Sequence, residues 1–160
     1  MIRLRREEGY TLIELMLVIA IVGVLGVSTF PKMEQVRTSA KLIGVQSNYR
    51  SVIATIYGLQ KTDDVAAKLT ALFGNSVSPK VEDMTNPITN KMGVATAVDY
   101  ADEPAAVYVL NKSVTTVPSG VEQSSYIGAV VIVQANNSIA VYGCDEVGKL
   151  IPGLLRTIQR

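Results

Sequence analysis

The sequence predicts an α+β fold in which one long N-terminal α-helix packs on an antiparallel β-sheet. An apolar run covers residues 12–30, near the start of the chain. Apolar side chains then recur at spacings of three and four as far as Leu59. Beyond residue 104, β-branched and aromatic residues form short runs that are typical of strands. A helix that precedes a sheet in this way is typical of the α+β class.

The apolar run contains 19 residues, close to the ~20 that a helix needs to cross a bilayer. A single charged residue, Glu14, interrupts the run near its start. On insertion scales a charge at the centre of a membrane helix costs roughly 2.5–3.5 kcal/mol, so Glu14 needs an explanation. A plain membrane anchor offers none, and the end of the run fits the small-residue cleavage site of an ordinary secretory signal peptide poorly.

A third interpretation is a short basic leader that is cut before the apolar run, between Gly9 and Tyr10. Tyr10 then becomes a new N-terminus with a free amine, and Glu14 lies four residues on, about one helical turn away. Pro31 follows the run, where it either kinks a continuing helix or ends it.

The stretch EEGYTLIELMLVIAIVGVLG closely resembles the type III leader and N-terminal helix of type IV pilins and pseudopilins. Pro31 also stands where pilins commonly carry a helix-kinking proline, and the resemblance covers about 50 residues. It implies a pilin-like fold, cleavage after Gly9 by a membrane-bound prepilin peptidase, and N-methylation of Tyr10.

Glu14 has a physical role in this interpretation. In an assembled filament the apolar helices bundle together, and a carboxylate in that core needs an opposite charge because an unpaired buried ion is very costly. The amine of Tyr10 on a neighbouring subunit is the expected partner, and such a pair sets the axial register between subunits. The alternative is that Glu14 only snorkels to the membrane interface.

The rest of the chain is expected to join the apolar helix, the stem, to a globular domain, the head. The second half of the helix carries an apolar stripe, as expected if it covers a globular core; the stripe consists of Leu42, Val45, Tyr49, Val52 or Ile53, Ile56 and Leu59. The predicted divisions are a cleaved leader at 1–9, a transmembrane or filament-core helix at 10–31, the amphipathic half of the helix at 32–61, a short helix and loop at 62–104, and the sheet with the C-terminal region at 105–160.

Within the head, the sequence TDDVAAKLTALFGN predicts a short helix that is capped by Thr62 or Asp63 and ends before Gly74. Residues 86–93 read as a surface loop. Strands are expected over residues 105–114 and 125–144, the latter folded into a hairpin at Asn136 and Asn137, with a further strand near residues 149–150.

The composition offers little chemistry. The chain has no His, one Cys and no phosphate-binding or nucleophile motif, so we expect no enzymatic activity, no catalytic residue, no metal site and no cofactor. Cys144 is expected to be buried, and the acidic clusters are expected to be solvated surface. Without the leader the chain carries 12 basic and 12 acidic side chains, so overall charge gives no reason to expect direct nucleic-acid binding.

The resemblance implies a structural subunit that polymerises into type IV pili serving adhesion, motility or aggregation. The alternatives are a pseudopilin of a type II secretion or competence DNA-uptake system and, from another class, a membrane-anchored binding domain that never polymerises. The implied partners are further copies of the chain in a helical homopolymer, the prepilin peptidase and N-methyltransferase, a platform protein, an assembly ATPase, and the bilayer. The implied location is the cytoplasmic membrane, single-pass with the N-terminus inside, and then a surface pilus or pseudopilus.

Overall fold

The computed structural model describes residues 10–97, 105–111, 126–135 and 137–159, without the side chains of residues 28–31. The chain divides into two compact units, Met1–Thr38 and Ser39–Arg160. The predicted leader, with Gly9, lies outside the described residues.

The described elements confirm the α+β class, because two helices precede a five-stranded sheet. The helices are α1 (Leu12–Gly58) and α2 (Val65–Phe73), and the strands are β1 (Val94–Ala97), β2 (Val107–Asn111), β3 (Val130–Ala135), β4 (Ser138–Cys144) and β5 (Leu150–Gln159).

The strands lie in chain order across the sheet, from β1 at one edge to β5 at the other. The predicted antiparallel arrangement holds for β3, β4 and β5, whereas β1 pairs with β2 and β2 with β3 in parallel. Ala135 opposes Ser138, so the predicted two-residue hairpin at 136–137 is confirmed. The connection from β2 to β3, residues 112–129, has the length that a parallel crossover requires.

The two edge strands differ most from the sequence-based expectation. β1 lies inside residues 62–104, which were expected to hold only a helix and a loop. β5 runs for ten residues, well beyond the expected strand near 149–150, and Pro152 and Gly153 interrupt its register against β4. Proline lacks an N–H and Gly153 has a φ of 85°, so both suit an irregularity on an edge strand.

The main core lies between α1 and one face of the sheet. Val45, Tyr49, Val52 and Ile56 are buried, as the predicted stripe requires. Tyr49, Val52 and Ile56 pack with alternate residues of β2, β3 and β4, namely Val107, Val109, Val130, Ile132, Ile139 and Val141. Since burying one Val or Ile side chain contributes roughly 1.5–3 kcal/mol, this layer contributes substantially to the stability of the second unit.

A second apolar cluster lies on the opposite face of the sheet, which the sequence analysis did not anticipate. Tyr108, Leu110, Val131, Val133 and Tyr142 are all buried there. The rings of Tyr108 and Tyr126 meet edge to face with their centroids 4.9 Å apart. Both faces of the central strands are therefore buried, which accounts for their uninterrupted apolar runs.

Helix α2 ends as predicted, but its N-cap lies one or two residues later than predicted. Asp64 is the N-cap, because its Oδ1 accepts hydrogen bonds from the backbone N–H groups of Ala66 (2.9 Å) and Ala67 (3.2 Å). The predicted caps, Thr62 and Asp63, are therefore wrong. Gly74 follows the helix with a φ of 86°, a conformation that glycine adopts without strain.

Residues 86–93 are anchored to the core at one end, contrary to the simple surface loop that was predicted. Asn86 is buried, and its Nδ2 donates to the carbonyl oxygens of Ile127 (2.8 Å) and Ala105 (3.3 Å). Its Oδ1 accepts from the N–H groups of Ile88 (2.9 Å) and Thr89 (3.0 Å). One amide side chain thus joins this loop to the segments that lead into β2 and β3.

Candidate functional site

The start of α1 carries the residues that the sequence singled out. Tyr10 is exposed, Glu14 lies in the first turn of α1, and α1 continues through residue 31. The predicted cleavage at Gly9, the N-methylation of Tyr10 and the kink at Pro31 remain predictions.

Glu14 forms a capping box with Thr11. The backbone N–H and the hydroxyl of Thr11 donate to Oε2 of Glu14 at 3.0 and 2.8 Å, and the N–H of Glu14 donates to the Thr11 hydroxyl oxygen at 3.4 Å. The carboxylate thus satisfies a donor at the N-terminus of α1, where the helix dipole favours negative charge. The Thr-x-x-Glu spacing was the signal that could have predicted this second role.

The capping box and the predicted inter-subunit pair make different demands on Glu14. The cap needs only a hydrogen-bond acceptor, which an uncharged amide also provides. Pairing with an amine inside a filament core needs the charge itself. The pairing of Glu14 with a neighbouring Tyr10 amine requires a second copy of the chain and stays a prediction.

The apolar side chains that follow Glu14 are exposed. Every large apolar side chain from Leu12 to Val27 is at least half exposed. Monomeric soluble proteins rarely present so large a continuous apolar surface, so this segment needs lipid or other apolar helices around it.

The length and composition of α1 do not by themselves establish a membrane span. Among the described residues no single helix meets the criteria for crossing a membrane, and the segments Leu12–Val27 and Lys32–Gly58 meet them only together, as a bent pair.

The described part of the chain offers no group of three or more Cys, Asp or Glu residues that could hold a metal ion. Two carboxylates of the acidic clusters, both partly exposed, also support turns. Asp83 accepts from the N–H of Lys80 (2.6 Å), and Asp145 accepts from those of Val147 (2.9 Å) and Lys149 (2.8 Å).

Cys144 is a free thiol in the second cluster, and its predicted burial is confirmed. Burial, with a smaller contribution from the negative charge of Asp145, raises the pKa of the Cys144 thiol to about 12. Because the thiolate is the reactive and metal-binding form, this environment makes Cys144 chemically inert near neutral pH.

Comparison with known proteins identifies the N-terminal segment. Residues 4–30 match the model of the prokaryotic N-terminal methylation motif. No curated protein and no solved structure matches the chain. The matched residues contain Gly9, Tyr10 and Glu14, the positions on which the resemblance was based. The chain therefore carries, over residues 4–30, the leader signature of type IV pilins and pseudopilins.

Proposed function

We propose that this chain is a prepilin whose mature form polymerises into type IV pili for adhesion, motility or aggregation. The observation that carries the proposal is the methylation motif at residues 4–30, which contains the exposed apolar helical segment Leu12–Val27. A signal peptide that is discarded needs no such segment in the mature protein, whereas a filament subunit needs it twice, first as an anchor and then as a core.

The proposed sequence of events begins at Gly9 and Tyr10. A prepilin peptidase cuts between Gly9 and Tyr10, and the new amine of Tyr10 is methylated. The protein then waits in the cytoplasmic membrane with its N-terminus inside and its head outside. A platform protein and a cytoplasmic ATPase move it into a growing filament, which extends from the cell surface.

Apolar burial alone does not drive this assembly. Removing apolar surface from water gains ~25 cal/mol per Å², but a helix in lipid is already away from water. The net gain on moving from lipid to a filament core is therefore small. This is why the proposal includes an ATPase that supplies the energy of extraction.

The proposed role is structural rather than enzymatic. Three of the carboxylates discussed above, those of Asp64, Asp83 and Asp145, accept backbone hydrogen bonds, and the single thiol is buried. These contacts stabilise turns and helix ends.

A pseudopilin of a secretion or DNA-uptake system is the second candidate, because the same motif begins both kinds of subunit. A pseudopilin forms only short fibres, whereas a pilin forms long surface filaments. A membrane-anchored binding domain is the third candidate, and it predicts that Glu14 can be replaced without effect.

Mass spectrometry of the mature chain tests the proposal. We expect the mass of residues 10–160 with one added methyl group, together with filaments that contain the chain in sheared material viewed by electron microscopy. A mature protein that begins at Met1, or after the apolar segment, would overturn the proposal. Correct processing with only short fibres would favour the pseudopilin.

A further inference from the structure

A groove lined by arginine and tyrosine lies in the head between α1 and β5. Its lining includes Arg50, Ala54 and Tyr57 from α1 and Leu155 and Arg156 from β5. Tyr57 is 57% exposed and Leu155 is 45% exposed, so apolar surface lies beside the two guanidinium groups. We call this feature the α1–β5 groove.

The positive charges of the α1–β5 groove have no acidic partner within the described part of the chain. The one ion pair found there joins Lys68 to Asp63, and no carboxylate lines the groove. Tyr49 lines the groove together with Arg156; burial raises the pKa of Tyr49, and the positive charge of Arg156 opposes that rise. The groove therefore suits an occupant that brings both a carboxylate and a small apolar group.

A turn at residues 80–83, which we call the 80–83 turn, offers both a carboxylate and a small apolar side chain. Val81 is 94% exposed, and the neighbouring Glu82 is exposed as well. The turn is fixed by two hydrogen bonds, from the N–H of Asp83 to the carbonyl oxygen of Lys80 (3.1 Å) and from the N–H of Lys80 to Oδ2 of Asp83 (2.6 Å). Because the turn is already ordered, docking loses little conformational entropy.

The groove and the turn lie at opposite edges of the sheet. The groove borders β5, the last strand. The 80–83 turn lies beyond β1, because Asn75 bridges to Val94 on the side of β1 that is not paired with β2, and the N–H of Met84 donates to the carbonyl of Phe73. Four interstrand spacings of ~4.8 Å separate the two edges, so one chain cannot fill its own groove with this turn.

We propose that the 80–83 turn of one copy docks in the α1–β5 groove of the next copy, with Glu82 paired to Arg50 and Arg156 and Val81 packed against Tyr57 and Leu155. A contact between different surfaces on opposite edges is heterologous and propagates from copy to copy without closing. The inference rests on the proposed function, because it adds a contact between heads to a filament whose core is formed by the apolar helices.

Cysteine cross-linking of the full chain, expressed in cells that assemble it, tests this contact. The Val81→Cys and Ala54→Cys changes place one thiol on the turn and one in the groove. The double variant should give a ladder of dimers, trimers and higher oligomers on oxidation, whereas either single variant should give dimers at most. The buried Cys144 does not compete.

The β4–β5 turn provides the matched control. Glu146 and Val147 also form an exposed acid–valine tip, but that turn leads directly into β5 at the groove's own edge. The Val147→Cys and Ala54→Cys pair should therefore give no ladder. A ladder from this control pair, or none from Val81→Cys with Ala54→Cys, overturns the proposal.

Charge reversal provides a second test. Glu82→Arg and Arg156→Glu should each reduce the yield of the ladder by about tenfold, since each places like charges together, and combining them should restore it. Reduced yield in both single variants without restoration in the double variant contradicts the pairing. Filaments that form normally without the ladder would overturn only this inference, whereas an unprocessed N-terminus would overturn the proposed function.

Discussion

Gly44 of α1 lies directly against the ring of Pro87: a β-carbon added to Gly44 would stand 2.7 Å from Cβ and 3.0 Å from Cγ of that proline. Four residues further along α1, Nδ2 of Asn48 donates to the carbonyl oxygen of Thr85 at 2.8 Å. The loop that contains Pro87 is therefore packed on α1 on one side and tied to the segments before β2 and β3 by Asn86 on the other.

The Gly44→Ala change should destabilise the head. Alanine gains ~1 kcal/mol of helix propensity, but overpacking against a rigid ring costs roughly 1–3 kcal/mol. We expect a net loss of about 1 kcal/mol in the free energy of unfolding. Tyrosine fluorescence of the detergent-solubilised full chain during denaturation measures it.

The matched control for Gly44 is Gly58→Ala, because no atom lies within 4 Å of a β-carbon placed there. This variant should be unchanged or up to about 1 kcal/mol more stable. Equal stabilisation of both variants would mean that Pro87 does not contact α1 in solution.

Replacing Asn86 should lower the free energy of unfolding by more than replacing any exposed polar side chain in the head. Asn86→Asp preserves the shape of the side chain, but it replaces the Nδ2 donor with an acceptor that faces the carbonyl oxygens of Ala105 and Ile127. We expect a loss of about 2–4 kcal/mol in the free energy of unfolding, from unsatisfied buried groups and a buried charge. Urea denaturation of the solubilised chain gives this value.

Asn75→Ala is the control for Asn86, because Asn75 is exposed and its Oδ1 accepts one local hydrogen bond from the N–H of Val77. Its cost should be below ~1 kcal/mol. If Asn86→Asp were as mild as this control, the amide would not join the loop to the sheet.

Cys144 should resist alkylation while the protein is folded. A pKa of about 12, against an ordinary value of 9.0, makes the thiolate roughly a thousandfold less populated near pH 8. Iodoacetamide at pH 8 should therefore modify Cys144 only after denaturation. Rapid modification of the folded chain would show that this side of the sheet opens easily.

The raised pKa of Cys144 also predicts how the stability of the fold changes with pH. Above pH 9 the unfolded thiol ionises while the folded thiol keeps its proton until about pH 12, so Cys144 lowers the stability of the fold as pH rises through that range. The difference in stability between the wild type and Cys144→Ala should shift in favour of the variant between pH 9 and pH 11. A constant difference would contradict the raised pKa.

The sequence predicts those features of the head that are specified by residues close together in the chain. The stripe of Val45, Tyr49, Val52 and Ile56 was visible because helical periodicity is local. The hairpin between Ala135 and Ser138 was visible because a two-residue turn fixes its own register. The parallel pairing of β2 with β1 and with β3 could not be predicted, because partner choice in a parallel sheet depends on contacts distant in sequence.

Other features were missed for identifiable reasons. The Thr-x-x-Glu spacing predicts a capping box, but a charge within an apolar run equally predicts an ion pair in a filament core, and the sequence does not distinguish the two roles. Asn86 was assigned to a surface loop because Asn-Pro marks turns, and nothing local shows that its amide reaches Ile127, 41 residues away. The unbroken apolar run of β3 indicated a second apolar cluster, because a strand with one solvent-exposed face alternates apolar and polar residues.

The two roles of Glu14 can be separated by three substitutions. Glu14→Gln keeps an acceptor for the Thr11 N–H and hydroxyl but removes the charge, whereas Thr11→Ala removes the capping hydroxyl and keeps the charge. Glu14→Ala removes both.

If the carboxylate pairs with a Tyr10 amine in the filament core, leaving that amine unpaired costs ~3 kcal/mol, so Glu14→Gln and Glu14→Ala should each reduce filament yield by about a hundredfold. Thr11→Ala should lose only the cap, about 1 kcal/mol, and should still assemble. Sheared filament yield, measured beside the amount of processed subunit in the membrane, distinguishes the cases. Normal filaments from Glu14→Gln, with loss in Thr11→Ala, would mean that Glu14 acts only as a helix cap.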